Sequence, residues 1–248
     1  MSFDAAPDQV RFQALVDRTK ADSARRWNTG LIIAGSLLVA AAAAGIAVML
    51  ATGFGSWFTI ALVAVLGLLS ISLIVTSVLR GRILRLLAGE GAVACSVSER
   101  GVALANSPFI PWSDVVFIGV LNDRPRTSRL RAVPVFGWFG SLVLKAGNGT
   151  VLCEIAVRDG EGLRAAFADR GAAKRVSLYG RWPDGLRRGL LPLLLDSVLS
   201  EETVQAVVRV LFAEAETRGI PHSMHESTFG FMKWKGPLLD PDWPAELG

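Results

Sequence analysis

Apolar and polar positions divide this chain into unlike stretches. Residues 27–79 contain no Lys, Arg, Asp or Glu, and within them 31–51 and 57–79 are two nearly continuous apolar runs. At 1.5 Å per residue the first covers about 31 Å as a helix, enough for the hydrocarbon core of a bilayer. Between the runs, Gly53 and Gly55 stand among polar residues, which predicts a tight turn and a two-helix hairpin over 29–79. A cleavable signal peptide is the rival reading, since Ala40 to Ala44 mimic a small-residue cleavage site. The apolar run continues past those alanines to Leu50, and the preceding segment is acidic as well as basic, so the hairpin is preferred. Ahead of it, Val10, Phe12, Ala14, Leu15 and Val16 fall at roughly helical spacing among charges. Residues 1–28 are therefore expected to form a cytoplasmic, amphipathic juxtamembrane segment.

Beyond Arg80 the period shortens to that of strands. Val93, Cys95 and Val97 alternate with small or polar neighbours, 99–101 supply a turn, and 102–105 continue the pairing. Ile110-Pro-Trp-Ser-Asp114 leads into a β-branched run over 115–120. Residues 141–146 and 150–157 flank Gly147-Asn148-Gly149, and Asn-Gly accepts the backbone angles of a tight hairpin. Leu163, Ala166 and Phe167 then mark a short closing helix. Further on, Ser200 and the acidic Glu201 and Glu202 open a helix whose apolar stripe is Val204, Val207, Val208, Leu211 and Ala215, and Gly219 with Pro221 stops it. The stripe is expected to dock on the strands, with a partner protein or self-association as the other reading. The run 190–195, interrupted by Pro192, is too short to span a bilayer and belongs to a core or an interface. The tail 221–248 has Pro237, Pro241 and Pro244 spaced among Trp234 and Trp243 and is expected to be loosely ordered.

Composition confirms the partition. A mean hydropathy of +0.42 over 248 residues is too high for a soluble domain, whereas the charge outside 27–79 is ordinary. This excludes a fully soluble enzyme, a collagen-like fibre, a mostly disordered chain and a disulfide-stapled mini-protein. Arg11, Arg18, Lys20, Arg25 and Arg26 precede the hairpin, Arg80, Arg82 and Arg85 follow it, and its turn has no basic residue. Both termini are therefore expected in the cytoplasm, on an inner membrane crossed twice. Trp27 and Trp57 stand where aromatic belts form, so Trp27, Trp57, Arg80, Arg82 and Arg85 are the candidate membrane-interface residues. Small residues four apart, Gly30 with Ala34 and Ala41 with Gly45, are expected to pack the two helices together. A transport path is disfavoured, because neither span holds an ionisable residue.

Candidate chemistry is sparse. Arg124, Arg126, Arg129 and Arg131 concentrate positive charge in an expected loop and are the candidate contacts for anionic lipid headgroups or an acidic partner. Nucleic acid fits poorly, since these arginines lack interleaved aromatics. Cys95 and Cys153 fall at inward strand positions, as buried structural thiols do. His222 and His225 are three apart, a spacing that could put two imidazoles on one helix face, but they follow Pro221 in an expected loop and no second ligand pair accompanies them, so no metal site is assigned. No nucleophile motif and no phosphate-cradling glycine loop is present, so no catalytic residue, enzyme activity or cofactor is expected.

The two apolar runs, the basic exit, the Val97-Ser-Glu-Arg-Gly-Val102 hairpin, the Ile110-Pro-Trp-Ser-Asp-Val115 step and the closing helix together resemble bacterial pleckstrin-homology-like domains of the YcxB-like type, over roughly residues 89–170. The resemblance implies a bent antiparallel sheet closed by a helix, used as a binding module, and it transfers no catalytic residue. The expected fold class is α+β: a two-helix transmembrane hairpin, a cytoplasmic PH-like β domain over 80–171, a helical extension over 172–220 and the tail. The expected function is a membrane-anchored, non-catalytic interaction module, with a structural subunit or scaffold of a membrane protein complex as the alternative.

Overall fold

The structure, a computed structural model, describes residues 10–87, 92–131 and 149–244, with the side chains of 83–87, 126 and 129–131 outside the description. Residues 141–146, expected to open the Asn-Gly hairpin, lie outside the described residues; 151–157 form a strand as expected, but both its edges are taken, by 115–122 and 187–194, so it has no edge left for the expected hairpin partner.

Two helices, α1 (Arg18–Thr52) and α2 (Trp57–Leu87), form the hairpin, and both are long and apolar enough to cross a membrane. Gly53 makes the turn at φ 66°, a left-handed conformation that glycine adopts without steric cost. Positions facing α1 along α2 are Ile60, Val63, Gly67, Ser70, Ile74, Ser77 and Gly81, alternating three and four apart, which is the seam of a left-handed helix pair. The helices touch most closely where a side chain is missing: a Cβ on Gly35 would lie 2.8 Å from Ile74, and one on Gly81 would lie 2.9 Å from the Asn28 amide nitrogen. That amide donates to the Ser77 carbonyl at 2.8 Å. Gly30 and Gly45 do not serve this purpose, since a Cβ on either meets nothing within 4 Å. Away from the seam, Ile33, Leu37, Leu62, Leu66 and Leu69 are each more than half exposed, a surface that lipid solvates and water does not.

The globular body is a mixed α+β fold of two sheets. The first has the order β1-β2-β3-β4, all antiparallel, from β1 (Val10–Leu15), β2 (Val93–Ser98), β3 (Gly101–Leu104) and β4 (Ile110–Pro111). The second has the order β7-β8-β6-β5-β9, from β5 (Val115–Asn122), β6 (Val151–Val157), β7 (Ser177–Arg181), β8 (Arg187–Leu194) and β9 (His222–His225); only β9 runs parallel, beside β5. Between β4 and β5 a 3-10 turn seats Trp112, buried, with its indole nitrogen donating to the Ser98 carbonyl at 3.0 Å.

Four expectations are corrected here. Residues 10–15 are not helical; they form β1, because Ala14 buries against the core while Val10 and Leu15 stay exposed, and because β2 offers an unpaired edge. Residues 124–131 are not a loop but helix α3 (Arg124–Arg131). The segment expected to close the sheets with one helix makes only α4 (Gly160–Ala165) and α5 (Arg170–Ala173). Residues 172–220 are not a wholly helical extension: they include β7 and β8, with 190–194 paired to β6, whereas the long helix α6 (Glu201–Thr217) docks its stripe on strands of both sheets as expected.

Helix α6 matches its sequence signature. Ser200 caps it by accepting from the Thr203 amide at 3.2 Å, and Val204, Val207, Val208, Leu211 and Ala215 are all buried. Ser200→Ala should cost about 1 kcal/mol in chemical unfolding of the body, the usual value of a lost N-cap. Inward residues of both sheets, including Val97, Val102, Ile118, Val120, Cys153 and Ile155, join this stripe in one core.

The tail is likewise ordered as far as residue 244. Helix α7 (Thr228–Leu239) covers the outer face of the second sheet, where Phe117, Ala156 and Leu190 need a partner that α6, on the other face, cannot supply. Gly119 admits it, since a Cβ there would lie 2.6 Å from the Phe231 ring.

Candidate membrane-facing site

One end of the second sheet meets the first turn of α1. Strand β8 ends at Leu194 and enters a 3-10 turn over Leu195–Ser197, after which the Val198 carbonyl accepts from the Asp17 amide at 2.8 Å. The Leu199 carbonyl accepts from Lys20 Nζ at 2.8 Å. In the same turn Asp196 accepts from the Thr150 hydroxyl at 2.6 Å and from the Val151 amide at 2.9 Å, holding the start of β6. Glycine stands at 149 because a Cβ there would lie 2.5 Å from the Asp196 carboxylate. Strand polarity then places the ends of β5, β8 and β9 and the start of β6 together, toward the hairpin.

Helix α3 starts at this end, directly after β5. The Asp123 carbonyl accepts the first helical bond, from the Thr127 amide at 3.0 Å, and Pro125 sits in the first turn, where a missing N–H costs nothing. That Asp-x-Pro opening was the available sequence signal for a helix. Arg124 pairs with Glu201 at the start of α6, and its guanidinium holds that carboxyl below the ordinary carboxylate range. Lys20 of α1, one turn inside the hairpin base, bonds the carbonyl two residues before Glu201. Arg126, Arg129 and Arg131 share α3 with Arg124, and helical spacing puts positions 126 and 129 on the face opposite position 124.

The interface candidates bracket the hairpin. Trp27 lies on α1 and is 40% exposed; Trp57 opens α2 at the far end and is 83% exposed. From Trp27 to the end of α1 the helix rises about 38 Å, close to the thickness of a bilayer with its headgroup layers. Arg80 is half-buried and Arg82 exposed on α2 as it leaves the apolar run, and Arg85 follows in the same helix.

The remaining candidates resolve into packing roles. Cys95 and Cys153 are free and fully buried, and burial pushes the Cys95 thiol up to about 12 and the Cys153 thiol higher still. His222 and His225 lie on β9, where residues three apart point to opposite faces, so they do not converge. His222 packs on Phe212, and His225 on Phe231 and Trp234.

Sequence reasoning missed one charged pair. Glu154, in the middle of β6, and Lys235, in α7, are both buried and meet at 2.5 Å, with the ammonium 4.6 Å from the Phe231 ring centre. Burial raises the Glu154 carboxyl, against the opposing pull of Lys235. A lone glutamate inside an apolar strand was the available signal. No known protein family, curated protein or solved structure gives a match to this chain.

Proposed function

We propose that the protein is a membrane-anchored, non-catalytic interaction module whose cytoplasmic, PH-like body holds its arginine helix against anionic lipid headgroups. The observation that carries this reading is the placement of α3 at the hairpin end of the body, where Arg124 and Lys20 attach to neighbouring residues of one short segment. Near an anionic leaflet each basic residue contributes about 1 kcal/mol of attraction, so Arg126 and Arg129, at positions opposite 124 on the helix, would orient a body the hairpin already tethers. The basic flanks of the hairpin support a cytoplasmic location for both ends.

A nitroxide on Ser128→Cys tests this. Ser128 is exposed on α3, and the two native thiols are buried and stay unlabelled. In full-length protein reconstituted into anionic vesicles, the label should be shielded from an aqueous relaxation agent, and shielding should fall at high salt, in neutral vesicles and with Arg126, Arg129 and Arg131 changed to alanine. Equal accessibility under all four conditions overturns the proposal.

A scaffold role keeps one supporting observation: Ala34 and Ala41 are exposed and Gly30 meets no neighbour, so the outer side of α1 has small residues that another helix could approach closely. The apolar stripe of α6 does not support it, being consumed inside the body. Crosslinking in native membranes that yields only monomer would remove this reading.

A further inference from the structure

Helix α7 has two apolar faces. Phe231 and Leu239 turn inward onto the second sheet, whereas Phe229 is 70% exposed and Met232, three residues on and so on the same face, is 40% exposed. Lys233 is exposed one turn after Phe229. Strand β9 is the edge of its sheet.

The topology says where this patch lies. His225 pairs with Leu121 in the parallel β5–β9 ladder, and β5 runs on from Leu121 to Asn122 and α3. The Ser227 cap and Phe229 therefore emerge from the same end of the sheet as Arg124, Glu201 and the Lys20–Leu199 contact, displaced sideways by the width of the sheet edge. We propose that Phe229, with Met232 beside it, enters the interfacial layer of the protein's own bilayer and forms a second, apolar membrane contact off the hairpin axis. An aromatic ring at the headgroup boundary with a lysine stem one turn away is the chemistry of such contacts. Two side chains fall short of the roughly 800 Å² that each partner in a stable protein complex contributes, whereas an interfacial contact needs only one well-placed ring. A hairpin alone lets the body swivel about its axis; a contact to one side sets its azimuth and tilt.

The inference rests on the orientation proposed for the arginine helix but on different lipid chemistry, since apolar insertion does not require anionic headgroups. A nitroxide on Thr228→Cys, exposed beside Phe229, is measured in full-length protein in phosphatidylcholine vesicles and in vesicles with added phosphatidylserine. In both, accessibility to an aqueous relaxation agent should be severalfold lower than in a Phe229→Asp variant, and Phe229→Leu should restore the shielding. Unchanged circular dichroism of Phe229→Asp checks that α7 stays folded, and a retained salt-sensitive signal from the Ser128→Cys label checks that the arginine contact survives. Equal accessibility with and without Phe229→Asp overturns the inference, as does shielding that arises only at high protein density. Loss of the Thr228 effect with the Ser128 effect intact removes this inference alone, and the reverse result removes the arginine reading alone.

Discussion

Lys235→Ala is expected to destabilise the globular body by about 3–5 kcal/mol, measured as a lowered midpoint of denaturant unfolding in detergent micelles and read by tryptophan fluorescence. Both partners of the Glu154–Lys235 pair are buried, so removing the ammonium leaves a carboxylate without its counter-charge among Phe117, Tyr179 and Trp234. The cost comes from that orphaned charge. Exchanging both partners, as Glu154→Leu with Lys235→Met, should accordingly be near neutral or stabilising, because an apolar pair of similar volume avoids desolvating two ions. The pH dependence separates this account from simple loss of packing. Burial already raises the Glu154 carboxyl and Lys235 opposes that rise, so deleting Lys235 raises it further. A carboxyl that binds its proton more tightly when folded favours the folded state at low pH and loses that contribution as pH rises through its folded value. The deficit of Lys235→Ala should thus be full near neutrality and shrink as pH falls toward the ordinary carboxylate range. A deficit independent of pH would point to lost packing alone.

Leu211→Ala should cost a comparable amount, about 2–5 kcal/mol, by opening a cavity in the core that both sheets share. Leu211 is fully buried, and α6 touches β1 and β2 of one sheet and β5 and β9 of the other. Both sheets should loosen together, so hydrogen exchange at β2 and at β6 should accelerate by the same factor. Arg209→Ala, on the exposed side of the same helix, should stay within about 0.5 kcal/mol. Faster exchange in only one sheet would show that the sheets are independently stable and that α6 does not join them.

The contrast between the two helices of the C-terminal part explains what was legible in the chain. Helix α6 could be read residue by residue, since its cap, acidic first turn, stripe and stop all act within a few residues of one another. Helix α7 could not: its two apolar faces blur the period, Pro237 lies inside it, and its reason to fold is the uncovered face of a sheet whose strands come from distant parts of the chain. Strand β1 was misread for the same reason. Its five-position apolar pattern fits a helix when taken alone, and only the edge of β2, more than 75 positions away, selects the strand.

By itself, then, the sequence determined what depends on local chemistry: two spans long and apolar enough for a bilayer, the hairpin turn at Gly53, the β2–β3 hairpin, burial of Cys95 and Cys153, and α6 with its cap and stripe. Tertiary structure decided what depends on partners distant in the chain: which glycines the helix seam uses, how the N-terminal segment and the tail fold, and the burial of Glu154 against Lys235. It also gathered α3, the start of α6 and the first turn of α1 at one end of the body. Hydrophobic period and capping are encoded within a turn or two of helix, whereas the free energy of covering a sheet face or pairing a buried charge exists only once the chain has brought the two surfaces together.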